Sequence, residues 1–410
     1  MTDIDARTFS YEALDKAGNV VKGKLTGRSE SAVAQRLMSS GTQPINITEV
    51  KTTGLNADVR IPGITDKVKL KDIAIMLRQM ATMIGAGLSL IRALSTLTEQ
   101  TENPTLRGIL NTVRTDVETG LSLSAGLAKH PLVFPPLMIN MVKAGETGGF
   151  LDQTLLNLAK NFEDEVKLNA KVKSAMTYPV VVLVVAILAS VGMLLFIVPV
   201  FAGIFDSLGG DLPWATQILV DMSNFLKVAV WPLLVLVVIA IVWWGRIKNN
   251  KSVREKVDPL KLKMPVFGAL TQKIAVARFT RNLGAMLRAG VPVLQALEIV
   301  GEASGNYVVE KATQDIINNV RRGKGLTAPL AEHPIFPPMV VQMIAIGEDT
   351  GAMDVMLEKI AEFYDAEVEA TTEQLTSLIE PLMILLIGGI VGGMVIALYM
   401  PVFSVFDLVQ

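Results

Sequence analysis

Gly145-Glu146-Thr147-Gly148-Gly149 returns about two hundred residues later as Gly347-Glu348-Asp349-Thr350-Gly351, and the landmarks on either side return with it. Reading outward, the first copy carries Arg78, Gly87, Ala93-Leu94, Gly120-Leu121, His130-Pro131, Phe134-Pro135-Pro136, Asp152 and Tyr178-Pro179. The second carries Arg281, Gly290, Ala296-Leu297, Gly325-Leu326, His333-Pro334, Phe336-Pro337-Pro338, Asp354 and Glu380-Pro381. The offset is 203 at the start (Arg78 to Arg281) and 202 at the end (Pro179 to Pro381), which leaves room for a loop adjustment of about two residues. Each copy runs into a long apolar segment. The chain is therefore read as a duplicated domain tethered twice to a membrane, a plan that suits a scaffold before an enzyme.

Each copy has helical periodicity. Met76, Met80, Met83 and Ile84 form one stripe, and Phe279, Leu283, Met286 and Leu287 repeat it, as expected of a helix burying one face in a bundle. Gly87 and Gly290 fall where that helix should stop, with Ser89 and Pro292 suited to an N-cap and a first helical turn. Gly145 and Gly347 are read as the ends of a later helix, and Glu146 and Glu348 as acids near the positive start of the next. A display of these carboxylates on tight loops for a basic partner is the functional alternative. Arg78 and Arg281 lie beside the buried stripe, so a cross-bundle ion pair with an acid such as Glu146 or Glu348 is expected.

Half of the 410 residues are hydrophobic and only 19% are charged, against about 25% in soluble domains. Val180–Phe205, Val228–Gly245 and Pro381–Phe406 carry no charged residue; a helix needs roughly 20 apolar residues to cross a bilayer, and the middle run is the short one. Trp231, Trp243 and Trp244 sit at its two ends like an interfacial belt. Arg246, Lys248, Lys251, Arg254, Lys256, Lys261 and Lys263 follow it, and Asp206, Asp211 and Asp221 precede it, so both repeats are expected on the cytoplasmic side. The opening residues show no basic patch followed by an apolar core, so no cleavable signal peptide is expected.

The fold class that follows is an all-α membrane protein. It has two homologous cytoplasmic helical bundles of about six helices each, three transmembrane helices and a small N-terminal α+β module. The module occupies 1–50, with a hairpin turning at Lys16-Ala17-Gly18-Asn19 and a helix over Ser29–Ser40 closed by Gly41. A linker covers 51–68, the first bundle 69–178, the first span 179–205, an outer loop 206–227 and the second span 228–245. A basic connector covers 246–271, the second bundle 272–378, the third span 379–406 and an outer tail 407–410.

No catalytic constellation emerges. Gly323-Lys324-Gly325 lacks the frame of a phosphate-binding loop, and His130 and His333 are equivalent loop positions whose pairing the duplication explains. A net charge of −1 argues against nucleic acid as a partner, and the absence of cysteine excludes disulfides and thiolate metal sites. No ionisable residue lies inside a span, which argues against a transporter; Glu380 sits at a span's edge. Gly388, Gly389, Gly392 and Gly393 make overlapping small-residue ridges suited to close helix packing in lipid.

Together these residues resemble the inner-membrane platform proteins of type IV pilus and type II secretion machines, the GspF/PilC family. The resemblance covers nearly the whole chain. It includes Phe9, Tyr11, Ala13-Leu14-Asp15 and Gly18, the Arg78-Gln79 to Ala86-Gly87 helix, Pro265-Val266-Phe267-Gly268, both Gly-Glu segments, Tyr178-Pro179 and Glu380-Pro381. It implies a non-enzymatic bacterial inner-membrane protein without cofactor or metal, at the base of a pilus-like fibre. The partners it implies are a hexameric cytoplasmic assembly or retraction ATPase, pilin or pseudopilin subunits, other inner-membrane components, lipid and further copies of itself. The Lys69–Gly87 stretch and the long linker favour a pilus machine over a secretion machine.

Overall fold

The computed structural model describes residues 7–14, 20–27, 30–39, 42–49, 67–207, 212–248, 250–265 and 267–408. Two compact units divide the chain, Met1–Lys67 and Val68–Gln410.

In the first unit, strands β1 (Arg7–Leu14), β2 (Val20–Gly27) and β3 (Gln43–Glu49) form an antiparallel sheet in the order β2-β1-β3. Helix α1 (Glu30–Ser39) buries Val33 and Leu37 against Tyr11 and Ile47. The hairpin and the helix match the sequence reading; β3 was not expected. Pro44 disguises it, and is tolerated because β3 is an edge strand whose pairing with β1 shifts register between Glu12 and Ala13. The expected turn at 16–19, the cap at Gly41 and most of the 51–68 linker lie outside the described residues.

The second unit is helical. Its first repeat comprises α2 (Leu70–Gly85), α3 (Leu90–Gln100), α4 (Pro104–Glu118), α5 (Leu123–Ala128), α6 (Pro136–Gly148) and α7 (Leu151–Gly192). A π-helical turn, Met193–Ile197, carries α7 into α8 (Val198–Ser207). Then come α9 (Trp214–Ile247) and α10 (Lys251–Lys263). The second repeat comprises α11 (Phe267–Arg288), α12 (Val293–Ala303), α13 (Tyr307–Arg321), α14 (Thr327–Ala331), α15 (Pro338–Thr350) and α16 (Met353–Leu408). Both repeats share one apolar core, in which Phe279 and Phe336 meet with ring centroids 5.1 Å apart.

The turns correct the alignment of the two copies. Gly87 and Gly290 hold φ of +85° and +72°, and each is closed by the residue after it donating back five positions, Leu88 to Met83 and Val291 to Met286. The same turn recurs at Gly120 and Gly323, with Leu121 bonded to Asp116 and Lys324 to Asn319. Gly120 is thus the counterpart of Gly323, and not of Gly325 as the sequence suggested. The offset is unbroken from Arg78 to His130, and the one-residue difference lies in the His-Pro loop, where Leu132 protrudes fully exposed in the first repeat alone.

Gly145 and Gly347 do not end helices. They lie inside α6 and α15, and the residues in the left-handed region are Gly149 and Gly351. A Cβ on Gly145 would sit 2.6 Å from Thr154 Oγ1, and one on Gly347 3.0 Å from the Met353 Cα. Their role is close approach: without a side chain, α6 and α15 press against the first turns of α7 and α16. Pro292 is likewise an N-cap and not a first-turn residue.

Among the described residues three helices are long and apolar enough to cross a membrane, within Leu151–Ile204, Trp214–Ile247 and Met353–Met400. Pro179 does not interrupt α7. The expected 206–227 loop is helical from Trp214 on, because Leu219, together with Thr216 and Ser223, turns inward at helical spacing. There Leu219 packs with Leu194, Val198, Met394, Ala397 and Leu398. The expected connector is also ordered as helix: α10 docks on the second repeat through buried Asp258, whose Oδ2 accepts from the Tyr307 N–H at 3.0 Å.

Replacing Gly145 by valine should lower the thermal stability of the detergent-solubilised chain by about 1–3 kcal/mol through overpacking. Gly108→Ala, at a helical position with nothing within 4 Å of an added Cβ, should be neutral or stabilising in the same assay.

Candidate interaction site

The two signature arginines make the same bond in each repeat. Arg78 on α2 forks onto Glu163 of α7, Nε to Oε1 at 2.7 Å and Nη2 to Oε2 at 2.7 Å. Arg281 on α11 donates through Nη2 to Asp365 of α16. Each pair ties the first helix of its repeat to the last. The expected partners Glu146 and Glu348 are not used. Glu163 and Asp365 occupy matching positions, 85 and 84 residues after their arginines, and the recurrence of an acid at that place in both copies is the signal that reveals them.

Glu146 and Glu348 seat a short helix instead. Leu123 and Ser124 N–H groups donate to Glu146 from the start of α5, the second at 3.0 Å. Leu326 N–H reaches Glu348 at 2.7 Å, with Thr327 N–H at 3.1 Å and the Thr327 hydroxyl at 2.7 Å, from the start of α14. These are unpaired donors of a helix start, satisfied by a carboxylate from the next helix in sequence. Burial alone would raise the Glu348 carboxyl, but the bonds from Leu326 and Thr327 outweigh it and hold the group below its ordinary value. A Cβ at Gly325 would lie 2.8 Å from Glu348 Oε1, so this glycine makes room for the carboxylate.

Between the repeats runs a polar seam. Lys160 pairs with Glu358 at 2.8 Å and Lys171 with Glu369 at 2.5 Å, a constant offset of 198 residues that shows α7 and α16 lying parallel. Arg288 also reaches Glu358, Arg278 bonds Asn169, and Gln295 on α12 bonds Asn140 on α6 at 3.2 Å. In the interior, Asn161 donates to Asn282 at 3.2 Å.

Where α7 and α16 turn apolar, the structure brings Tyr178-Pro179 and Glu380 to one groove. It is a cavity of about 350 Å³ whose walls include Val182, Thr376, Met383 and Gly388. Glu380 is its one charged lining residue; Pro381 follows it on α16 but does not line the groove. Gly388, Gly389, Gly392 and Gly393 have no atom within 4 Å of a built Cβ, so among the described residues no other helix packs closely on them. Among the described residues, no group of three or more histidine or acidic side chains is arranged to hold a metal.

The architecture is that of a membrane-anchored helical scaffold with a duplicated domain. The family described as type II secretion system (T2SS), protein F, matches residues 76–199 and again 279–401, and its N-terminal domain matches residues 4–48. The chain belongs to the type II secretion system protein F family. It is 42% identical to the type IV pilus assembly protein PilC of Myxococcus xanthus over 405 residues, covering 98% of this chain and 96% of that one. It is 44% identical to the type IV pilus assembly protein PilC of Thermus thermophilus over 400 residues, covering 97% and 98%. With the type II secretion system protein F of Vibrio cholerae the identity is 33% over 406 residues, covering 98% and 99%.

The depressed Glu348 carboxyl stabilises the fold fully above the ordinary carboxylate pKa and loses that contribution as pH falls through the lower folded value. Glu348→Gln turns an amide NH₂ toward one of two N–H donors. It should lower the thermal midpoint at neutral pH and flatten its decline toward about pH 4. Thermal unfolding across that range, wild type against variant, checks this.

Proposed function

We propose that this chain is a non-enzymatic inner-membrane platform of a type IV pilus assembly machine. It couples a hexameric cytoplasmic ATPase to insertion of pilin subunits into the fibre. The observation that carries the reading is that each bundle and the span leaving it share a single helix, α7 through α8 in the first repeat and α16 in the second. A push on either bundle is thereby delivered to the bilayer. The names of the relatives supply the machine: those at 42% and 44% identity are pilus assembly proteins. The platform of a type II secretion system is the second reading, favoured by the 33% relative. The basic run at 246–263 supports a cytoplasmic position for both bundles.

The groove holding Glu380 is offered as the seat of a fibre subunit's transmembrane segment with a cation at its inner end. A single carboxylate among apolar walls is complementary to such a group. Deleting the gene in the native host should abolish surface fibres and leave protein export intact; loss of export with fibres intact selects the secretion platform. Complementation with Glu380→Gln should restore the protein level but not the fibres.

Further copies of the chain are expected to join head to tail. The repeats meet through unlike faces, α6 and α7 of the first against α11, α12 and α16 of the second. The counterparts, α2–α3 of the first repeat and α15–α16 of the second, carry exposed Ile75, Ile91, Ile346 and Phe363. The counterpart of the Gln295–Asn140 contact is Arg92 with Gln342, both exposed. The chain has no cysteine, so Arg92→Cys combined with Gln342→Cys should give a disulfide-linked ladder that neither single variant gives.

A further inference from the structure

The mouth of a second cavity lies where α9 leaves the apolar zone. It measures about 370 Å³ and is lined by Trp244, Lys248, Arg254, Val257, Lys261 and Gly305, with Asp258 beneath. Trp244 is exposed on the last apolar turn of α9, the position of an interfacial aromatic. The cavity therefore sits at headgroup depth, with apolar walls on one side and cations on the other.

The charges inside it do not cancel. Asp258 is 3% exposed and both its oxygens are engaged, Oδ1 by Lys261 at 3.0 Å and Oδ2 by the Tyr307 N–H at 3.0 Å and Arg254 at 3.6 Å. Arg254 also reaches Glu310 at 3.6 Å, and Lys251 meets Glu310 at 3.4 Å. Those contacts leave Lys248 without an ion-pair partner among the described residues, and one nitrogen of Arg254, Nη2, buried without an acceptor. Three cations against one enclosed carboxylate make a site for an anion. An ammonium headgroup has no free acid there to meet.

We propose that this cavity binds the phosphate of an acidic phospholipid, its headgroup held by Lys248, Arg254 and Lys261 and its glycerol side lying against Trp244 and Val257. Bound there, the lipid links the inner end of the second span to α13 of the second repeat. A free phosphate ion offers the same oxygen chemistry but nothing to the apolar wall.

The test is thermal unfolding of the full chain in detergent, titrated with phosphatidylglycerol, phosphatidylcholine or inorganic phosphate at constant ionic strength. Phosphatidylglycerol should raise the midpoint in a saturable way, and the other two should not. Lys248→Gln should raise the half-saturating concentration about fivefold, the worth of one lysine at a lipid surface. Lys173→Gln removes an exposed lysine ahead of the first span that does not line this cavity, and should leave that concentration unchanged. Equal stabilisation by phosphatidylcholine would overturn the proposal. Equal stabilisation by phosphate overturns the lipid as the ligand, and equal effects of the two lysine changes overturn the cavity as the site.

Discussion

Two rods carry this structure. α7 and α16 each begin inside a bundle and continue without a break into the apolar zone, and α16 alone is 56 residues, about 84 Å at 1.5 Å per residue. The ion pairs along them do not hold them together. Lys160–Glu358 and Lys171–Glu369 have half-exposed lysines, and such pairs contribute about 0–1 kcal/mol each. A smaller apolar cluster, separate from the shared core, does the holding: Leu168 and Val172 of α7 meet Val368 and Leu375 of α16 alongside Leu270. At about 25 cal/mol per Å² of apolar area removed from water, a few such side chains outweigh both ion pairs. The pairs fix which turn of one rod faces which turn of the other.

What is duplicated separates what folds a repeat from what joins two. The Arg–acid tie, the carboxylate seat for a short helix and the glycine crossing occur in both copies, so each belongs to the folding of a single bundle. The seam is not duplicated. Asn161 and Asn282 meet in the interior, while the residues at the corresponding positions are Phe363, which is exposed, and Gln79. Asn161 Oδ1 is left without a donor, and an unsatisfied buried acceptor costs about 1–3 kcal/mol. The pair therefore specifies how the repeats meet at some expense of stability.

The repeat, the stripes that become α2 and α11, and the three apolar runs were legible in the sequence because each rests on periodicity or length. Gly87 and Gly290 were legible for a local reason, since a helix stop needs a positive φ within a few residues. Contacts across the bundle were not. Arg78 finds its acid 85 positions away, and nothing near it in the chain names Glu163 over Glu146. Gly145 was misjudged because a glycine near a helix end has two uses, and only the packing of Thr154 tells close approach from a cap. The early start of α9 was hidden by Asp221 and Lys227. These look like loop residues until Leu219 is seen against Leu194 and Met394.

A membrane narrows what a duplicated scaffold can build. α7 and α16 run in the same direction into the apolar zone, so the operation that carries one repeat onto the other keeps the bilayer normal fixed. That operation joins unlike faces, and so it does not close after two repeats. A two-fold closure of like faces would instead require α7 to meet α16 at equal positions. Lys160 faces Glu358, the counterpart of Leu156, one helical turn away from the self-matching partner Glu362. The stagger of a single turn thus marks the joint between the repeats as one of unlike faces.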